Sequence, residues 1–280
     1  MTNTDVPAVL RLSIHEVARL CELTARPLPA TSVALLPRGS SDDARRVASV
    51  VAERGLLARG ILDTHYSGAE VDESVDELMR LITAPGLFVR IETEHSDLAV
   101  QTIYATPSQA VVETHDGLGV MSYAAMAQDA IVAYVVATTR LDDRAVSAPV
   151  DFTVTLGALM RAGQALEDGG TAAATAALTS AGAPQGQAAS YVDAVTSHRL
   201  ASSAVSSLCK VDEVTKHSIV GWLDCGPAGY WLIDQPAALE VFGAKPGSSK
   251  QLTEAAMASP ARVAAVSGGD LLALVLLGLP

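Results

Sequence analysis

The 280-residue sequence predicts an α+β fold, a central antiparallel β-sheet flanked by two helical groups and built from pseudo-twofold related halves. Three observations predict it. Segments of helical period and segments of strand period come in blocks, not in strict alternation. The breaks between strand-like runs are too short for the crossovers that parallel strands require. The order helices, meander, helix also occurs twice along the chain. A two- or three-stranded meander with one wet face is marginal alone, so the two are expected to join in one sheet.

Residues 9–14 are a short apolar strand. They run into Ser13-Ile14-His15-Glu16, which has the S-x-x-E form of a capping box. Ile14, Val17, Ala18 and Cys21 then recur at helical spacing until Pro27 and Pro29. A second helix begins near Ser40 or Ser41. Val47, Val50, Val51 and Leu57 are its apolar face, and Asp42 and Asp43 lie in its first turn, where the helix dipole favours acid. A third helix is expected after Ser67-Gly68-Ala69-Glu70, with Val71, Val75, Leu78, Met79 and Ile82 as its stripe and Pro85-Gly86 as its stop.

The period then changes. Residues 87–92, 98–104 and 110–114 are β-rich runs separated by turn chemistry, and a helix is expected over residues 122–137. In the second half Leu156, Leu159, Met160 and Gly163 mark a helix after Pro149 that breaks at Gly169-Gly170, and Ala-rich helices follow over 171–180 and 185–197. Strands are expected over 201–211, 214–225, 229–234 and 239–242, then a helix capped by Ser248-Ser249-Lys250-Gln251 that carries Leu252, Ala255, Ala256 and Val263. The apolar run 271–279 is far too short to span about 30 Å of hydrocarbon and reads as a closing helix. One domain over residues 1–280 is expected, made of quasi-repeated halves 1–142 and 149–280. The alternative is two independent α+β domains divided near Asp142 to Pro149.

Composition narrows the function. The chain has 19 Lys+Arg against 31 Asp+Glu, a formal charge of −12, which excludes general binding to a phosphate backbone or to anionic lipid. Apolar residues at 49% with charged ones at 18% describe a globular chain. Three distant cysteines without CxxC spacing fit a reducing compartment, and the opening residues lack a basic n-region, so a cytoplasmic location is expected.

No pattern that carries chemistry stands out. The six histidines are scattered, with no HExxH and no zinc spacing, so no metal is expected. There is no G-x-S-x-G elbow and no Walker lysine, and Gly117-Leu118-Gly119 lacks the third glycine of a dinucleotide loop. The acidic pairs, such as Asp42-Asp43 and Asp142-Asp143, lie on polar faces or in turns. No catalytic residue and no cofactor is therefore expected, and the chain does not read as an enzyme. Both tryptophans, Trp222 and Trp231, occupy consecutive strands, with Tyr230 beside Trp231. Alternation places Ile219, Gly221 and Leu223 on one face and Val220 and Trp222 on the other. Two readings stay open: core beneath helices on each face, or a partner-binding surface, which Trp and Tyr favour as anchors.

Several strings carry a resemblance: VLRLSIHEVARL, Glu53-Arg54-Gly55-Leu56, Ala84-Pro85-Gly86-Leu87, and the late pair Gly221-Trp222-Leu223-Asp224 and Gly229-Tyr230-Trp231-Leu232. In these, and in its length and order of elements, the chain resembles EspG, the cytosolic chaperone family of actinobacterial type VII (ESX) secretion systems. The resemblance covers most of the chain. It implies a central sheet between two helical bundles related by a quasi-twofold, and binding of newly made PE–PPE heterodimers through the tip of the PPE protein. An aggregation-prone apolar end is thereby kept soluble until export. The partner-binding residues it implies are Glu94, His95, Ser96 and Asp97 in the first meander loop and Val220, Trp222, Tyr230 and Trp231 on the sheet, together with the C-terminal helical group. The sequence departs from the family in its short 94–97 loop and its featureless Ala-rich stretch 171–189, which points to a PE–PPE-like client and not a typical pair. Two other readings differ in class. One is a small-molecule enzyme with a site between sheet and helices, and the other a homodimeric structural protein.

Overall fold

The computed structural model describes residues 9–33, 36, 39, 41–65, 68–94, 98–116, 118–146, 149–211, 214–234 and 249–279. The expected strand at 239–242 lies outside them. Among the described residues the fold is α+β with a large antiparallel sheet. The chain divides into two compact units, Met1–Phe88 with Val100–Ile131, and Val89–Ala99 with Val132–Pro280.

In the first unit, strand β1 (Leu10–Ser13) ends at the N-cap of helix α1 (Ile14–Leu23). The expected capping box is present: Glu16 N–H donates to Ser13 Oγ at 3.2 Å, and Ser13 N–H donates to Glu16 Oε2 at 2.7 Å. After the single turn α2 (Ala30–Val33), helix α3 (Asp42–Ala58) starts at its Ser41 cap. It buries only Ala52 and Leu56, so the expected inward face of Val47, Val50 and Val51 points to solvent instead. Small residues turn the other side of this helix toward α1.

Strands β2 (Leu62–His65) and β3 (Gly68–Val71) form a separate hairpin, with Leu62 opposite Val71. Gly68 to Val71 therefore belong to a strand and not to a helix start. Helix α4 (Glu73–Thr83) begins later, where Asp72 accepts the N–H of Ser74 and Val75. Its stripe of Val75, Leu78, Met79 and Ile82 is buried, as the spacing predicts. The meander follows as β4 (Leu87–Glu94), β5 (Leu98–Ala105) and β6 (Ala110–His115). Residues expected to open a helix at 122 instead form β7 (Val120–Met126). Pairing decides this, because Leu12 of β1 sits opposite Met121, and Met121 and Tyr123 alternate inward. Leu12, Val17, Leu20, Leu56, Met79 and Tyr104 lie at the centre of this unit's core.

In the second unit, helix α5 (Ile131–Thr139) leads to residues 141–146 and then β8 (Asp151–Thr155). As in β1, the last strand residue caps a helix: Thr155 Oγ1 accepts from Ala158 N–H at the start of α6 (Leu156–Glu167). Helices α7 (Thr171–Ser180) and α8 (Gln185–His198) follow, both close to their expected spans. Strands β9 (Ala201–Val211) and β10 (Val214–Asp224) make a long hairpin, and β11 (Tyr230–Asp234) pairs with β10. Helix α9 (Ser249–Ala258) is shorter than expected. Val263 belongs to β12 (Pro260–Val266), which pairs with both β11 and β8. Helix α10 (Gly268–Leu277) closes the unit, capped by Ser267. The hydrogen-bonded order in the large sheet is β1-β7-β6-β5-β4-β9-β10-β11-β12-β8.

Candidate functional site

The β10–β11 register sorts the second unit's side chains by face. Leu223 lies opposite Trp231, and Gly221 opposite Ile233. On β12 and β8 the same face continues through Val263 and Phe152. Helices α6, α7 and α8 pack onto part of this face, burying Leu223, Trp231, Val263 and Phe152 against Ala158, Ala162, Leu178 and Tyr191. Tyr191 stacks edge-on against Trp231 at 5.4 Å and against Phe152 at 6.2 Å.

Toward Ile219 the helices no longer cover this face. An open groove of about 300 Å³ lies there, with Ala204, Ile219, Gly221 and Ile233 as its apolar floor and Glu92, Glu94 and Ser202 among its lining residues. Ile219 is 44% exposed, unusual for an isoleucine in the middle of a paired strand. Gly221 keeps the floor bare. A Cβ at this position would meet only Ile233 O at 3.6 Å and Ser203 O at 3.9 Å. The acidic rim is held in place: Glu94 Oε2 accepts from Ser202 Oγ at 2.8 Å and from Arg199 Nη2 at 3.2 Å, and Arg90 pairs with Glu92.

The opposite face lies under α10. Ser207 Oγ donates to the carbonyl of Gly278, and a Cβ on Gly278 would fall 2.5 Å from Ser218 Oγ. At its other end, a Cβ on Gly268 would come within 3.2 Å of Tyr230 Cε2. Residues 141–146 are fastened to this end of the sheet. Arg144 donates through both terminal nitrogens to the two oxygens of Asp224, each at 2.8 Å, and its guanidinium lies 4.1 Å above the Tyr230 ring. Burial raises the Asp224 carboxyl, but the hydrogen bonds from Arg144 and from Gly226 N–H more than reverse that, and its pKa is lowered.

The sequence-predicted site residues thus fall into three groups. Glu94 and Trp222 line the groove. Alternation sends the Trp222 ring to the far face, so its contribution to the floor is the strand backbone. Val220, Trp222, Tyr230 and Trp231 are all buried, the three aromatics at 1–2% exposure, so none of the rings is an exposed anchor in the isolated chain. The physical reason is the cover on both faces: α6–α8 over Trp231, and α10 over the face of Val220 and Tyr230. His95, Ser96 and Asp97 lie outside the described residues. Sequence reasoning missed Ser202, Ala204, Ile219, Gly221 and Ile233. The available signal was Gly221 itself, since a glycine inside a central strand marks a place where something approaches the backbone. Among the described residues, no three His, Cys, Asp or Glu side chains are placed to hold a metal ion, and no helix is long and apolar enough to cross a membrane.

With the geometry in view, comparison with known proteins is decisive at the level of family. The EspG family model matches residues 13–257. The chain belongs to the EspG family. Among solved structures, this EspG-family chain is similar to the Mycobacterium tuberculosis type VII secretion system chaperone EspG5 in its complex with the PE25–PPE41 dimer. The TM-score is 0.58, with 14% identity over 97% of each chain, so that likeness is one of fold. No curated protein matches this EspG-family sequence.

Proposed function

We propose that this chain is a non-enzymatic, cytoplasmic secretion chaperone that holds an apolar segment of a PE–PPE-like heterodimer in the Ile219–Gly221 groove before export by a type VII system. The observation that carries this reading is the groove: apolar strand backbone left open on a sheet whose remaining face is covered, framed by fixed acids. A chaperone of this kind needs exposed apolar surface on a soluble body, and a net charge of −12 favours the solubility. Family membership and a fold shared with EspG5, which was solved with a PE–PPE dimer bound, support the same reading. Glu94 serves as rim in this proposal, and His95, Ser96 and Asp97, which follow it in sequence, contact the client. Val220, Trp222, Tyr230 and Trp231 shape and stiffen the floor.

The proposal also treats residues 1–142 and 149–280 as two copies of one plan within a single domain. The strand order supports it: β1-β7-β6-β5-β4 in one half corresponds to β8-β12-β11-β10-β9 in the other.

Gly221→Val tests the groove, because the backbone tolerates a side chain there while the floor is filled. Pull-down of the PE–PPE-like client from the native host is expected to weaken by about 2 kcal/mol, roughly thirtyfold, for Gly221→Val and for Ile219→Asp, with unchanged thermal melts. Full client recovery by both folded variants would remove the groove from the reading.

A further inference from the structure

The rim of the Ile219–Gly221 groove restricts what its occupant can carry beside its apolar residues, provided that the groove is the client site. Glu92 and Glu94 stand in one row on β4, because the strand alternates and Val89 and Ile91 turn to the other side, where they are buried. Their Cα atoms are about 7 Å apart along the strand. Each carboxylate is held through one oxygen only. Glu94 Oε2 accepts from both Ser202 Oγ and Arg199 Nη2, and Glu92 Oε1 accepts from Arg90 Nε. Among the described residues, Glu94 Oε1 and Glu92 Oε2 accept no hydrogen bond. The grip on Glu94 comes from a fixed corner. Arg199 is the C-cap of α8, Ser202 is the second residue of β9, and Leu200 between them donates its N–H to Asp224 O at 2.7 Å.

Arg90 and Arg199 balance the two acids, so the rim offers little net charge. What it offers is acceptors. No Lys or Arg is among the described residues that line the groove, and the polar side chains beside its apolar floor are Glu92, Glu94, Ser202 and Ser203. A client carboxylate there would set acceptor against acceptor. An ammonium or guanidinium has only donors to offer, and it carries the charge that a body of net charge −12 attracts. We infer that the groove selects an apolar client segment flanked by lysine or arginine side chains, which donate to Glu94 Oε1 and Glu92 Oε2. Arg199 and Ser202 are then positioning residues, which keep the second oxygen of Glu94 available to the client.

Fluorescence anisotropy of the full chain with two labelled peptides tests this. Both share one leucine–alanine sequence. One carries a pair of lysines four positions apart, about 6 Å in a helix, and the other carries glutamates in their place. The lysine peptide is expected to bind about tenfold tighter or more. The double variant Glu92→Gln with Glu94→Gln is expected to remove that preference with an unchanged thermal melt. It moves the net charge only from −12 to −10, so a preference set by overall charge would survive it. Gly221→Val is expected to weaken both peptides. Equal binding of the two by the unaltered chain, or a lysine preference that survives in the double variant, overturns the inference and leaves the groove reading standing if Gly221→Val still weakens binding. Peptide binding that Gly221→Val leaves untouched, or no binding of either peptide, overturns the inference together with the groove.

Discussion

A methyl group on Gly268 would fall 1.6 Å from the carbonyl oxygen of Asp142, so no side chain fits there without moving residues 141–146. Gly268→Ala is expected to destabilise the chain by about 2 kcal/mol or more, as measured by urea unfolding. Gly163, exposed within α6 with nothing near its Cβ position, gives the contrast. Gly163→Ala is expected to stabilise by about 0.5–1 kcal/mol, because only the backbone entropy changes. The cysteines make a third case at this scale. Burial pushes the Cys21 and Cys225 thiols up to about 11, while Cys209 is half-buried. Brief alkylation at neutral pH, read by mass spectrometry, is expected to mark Cys209 first. Modification of native Cys225 at a similar rate would contradict the buried placement. Residue by residue, what is local was legible in the sequence. Ser13 and Glu16 announce their box because all its partners lie within four positions. Trp222 and Trp231 could be sorted by face, but not as covered or open, because the covering helices lie far off in sequence.

Elements were legible where period and propensity agree, as in α4, α7 and α8. They are not legible where alanines interrupt a strand's alternation. β7 and β12 carry Ala124, Ala125, Ala261, Ala264 and Ala265, residues whose intrinsic preference is helical. The sheet overrides it, since each of these strands supplies the partner for the opening strand of its half, β7 for β1 and β12 for β8. The capped strand–helix corners are worth testing as elements. Ser13→Ala and Thr155→Ala are each expected to lower stability by about 1 kcal/mol. Thermal melts check this, and an unchanged midpoint in both would mean that the corners are held by packing alone.

At the scale of the molecule, each unit contains a carboxylate that folding makes more acidic. In the first, hydrogen bonds from Arg26 lower Asp76, with one contact at 3.0 Å between Arg26 Nη2 and Asp76 Oδ2. In the second, Arg144 lowers Asp142 and, against the cost of burial, Asp224. A carboxyl whose folded pKa is depressed adds stability above its unfolded value, near 3.9, and loses it as pH falls through the folded value. Stability is therefore expected to hold from neutral pH to about pH 5 and to fall below about pH 4. Arg144→Met is expected to flatten the second unit's share of that fall, as read from urea midpoints across the acid range. An equally steep fall in the variant would count against the Asp224 pairing.

The pairing of β8 with β12 has a consequence for how the protein is made. Phe152 finds its partner Val263 only after more than a hundred further residues have been added, helices α6 to α8 among them. On the ribosome, the second unit's sheet must wait for nearly its whole chain before it can zip shut. Its own apolar strands stand unshielded through that interval, so a protein proposed to guard others from clumping passes through the same hazard at its birth.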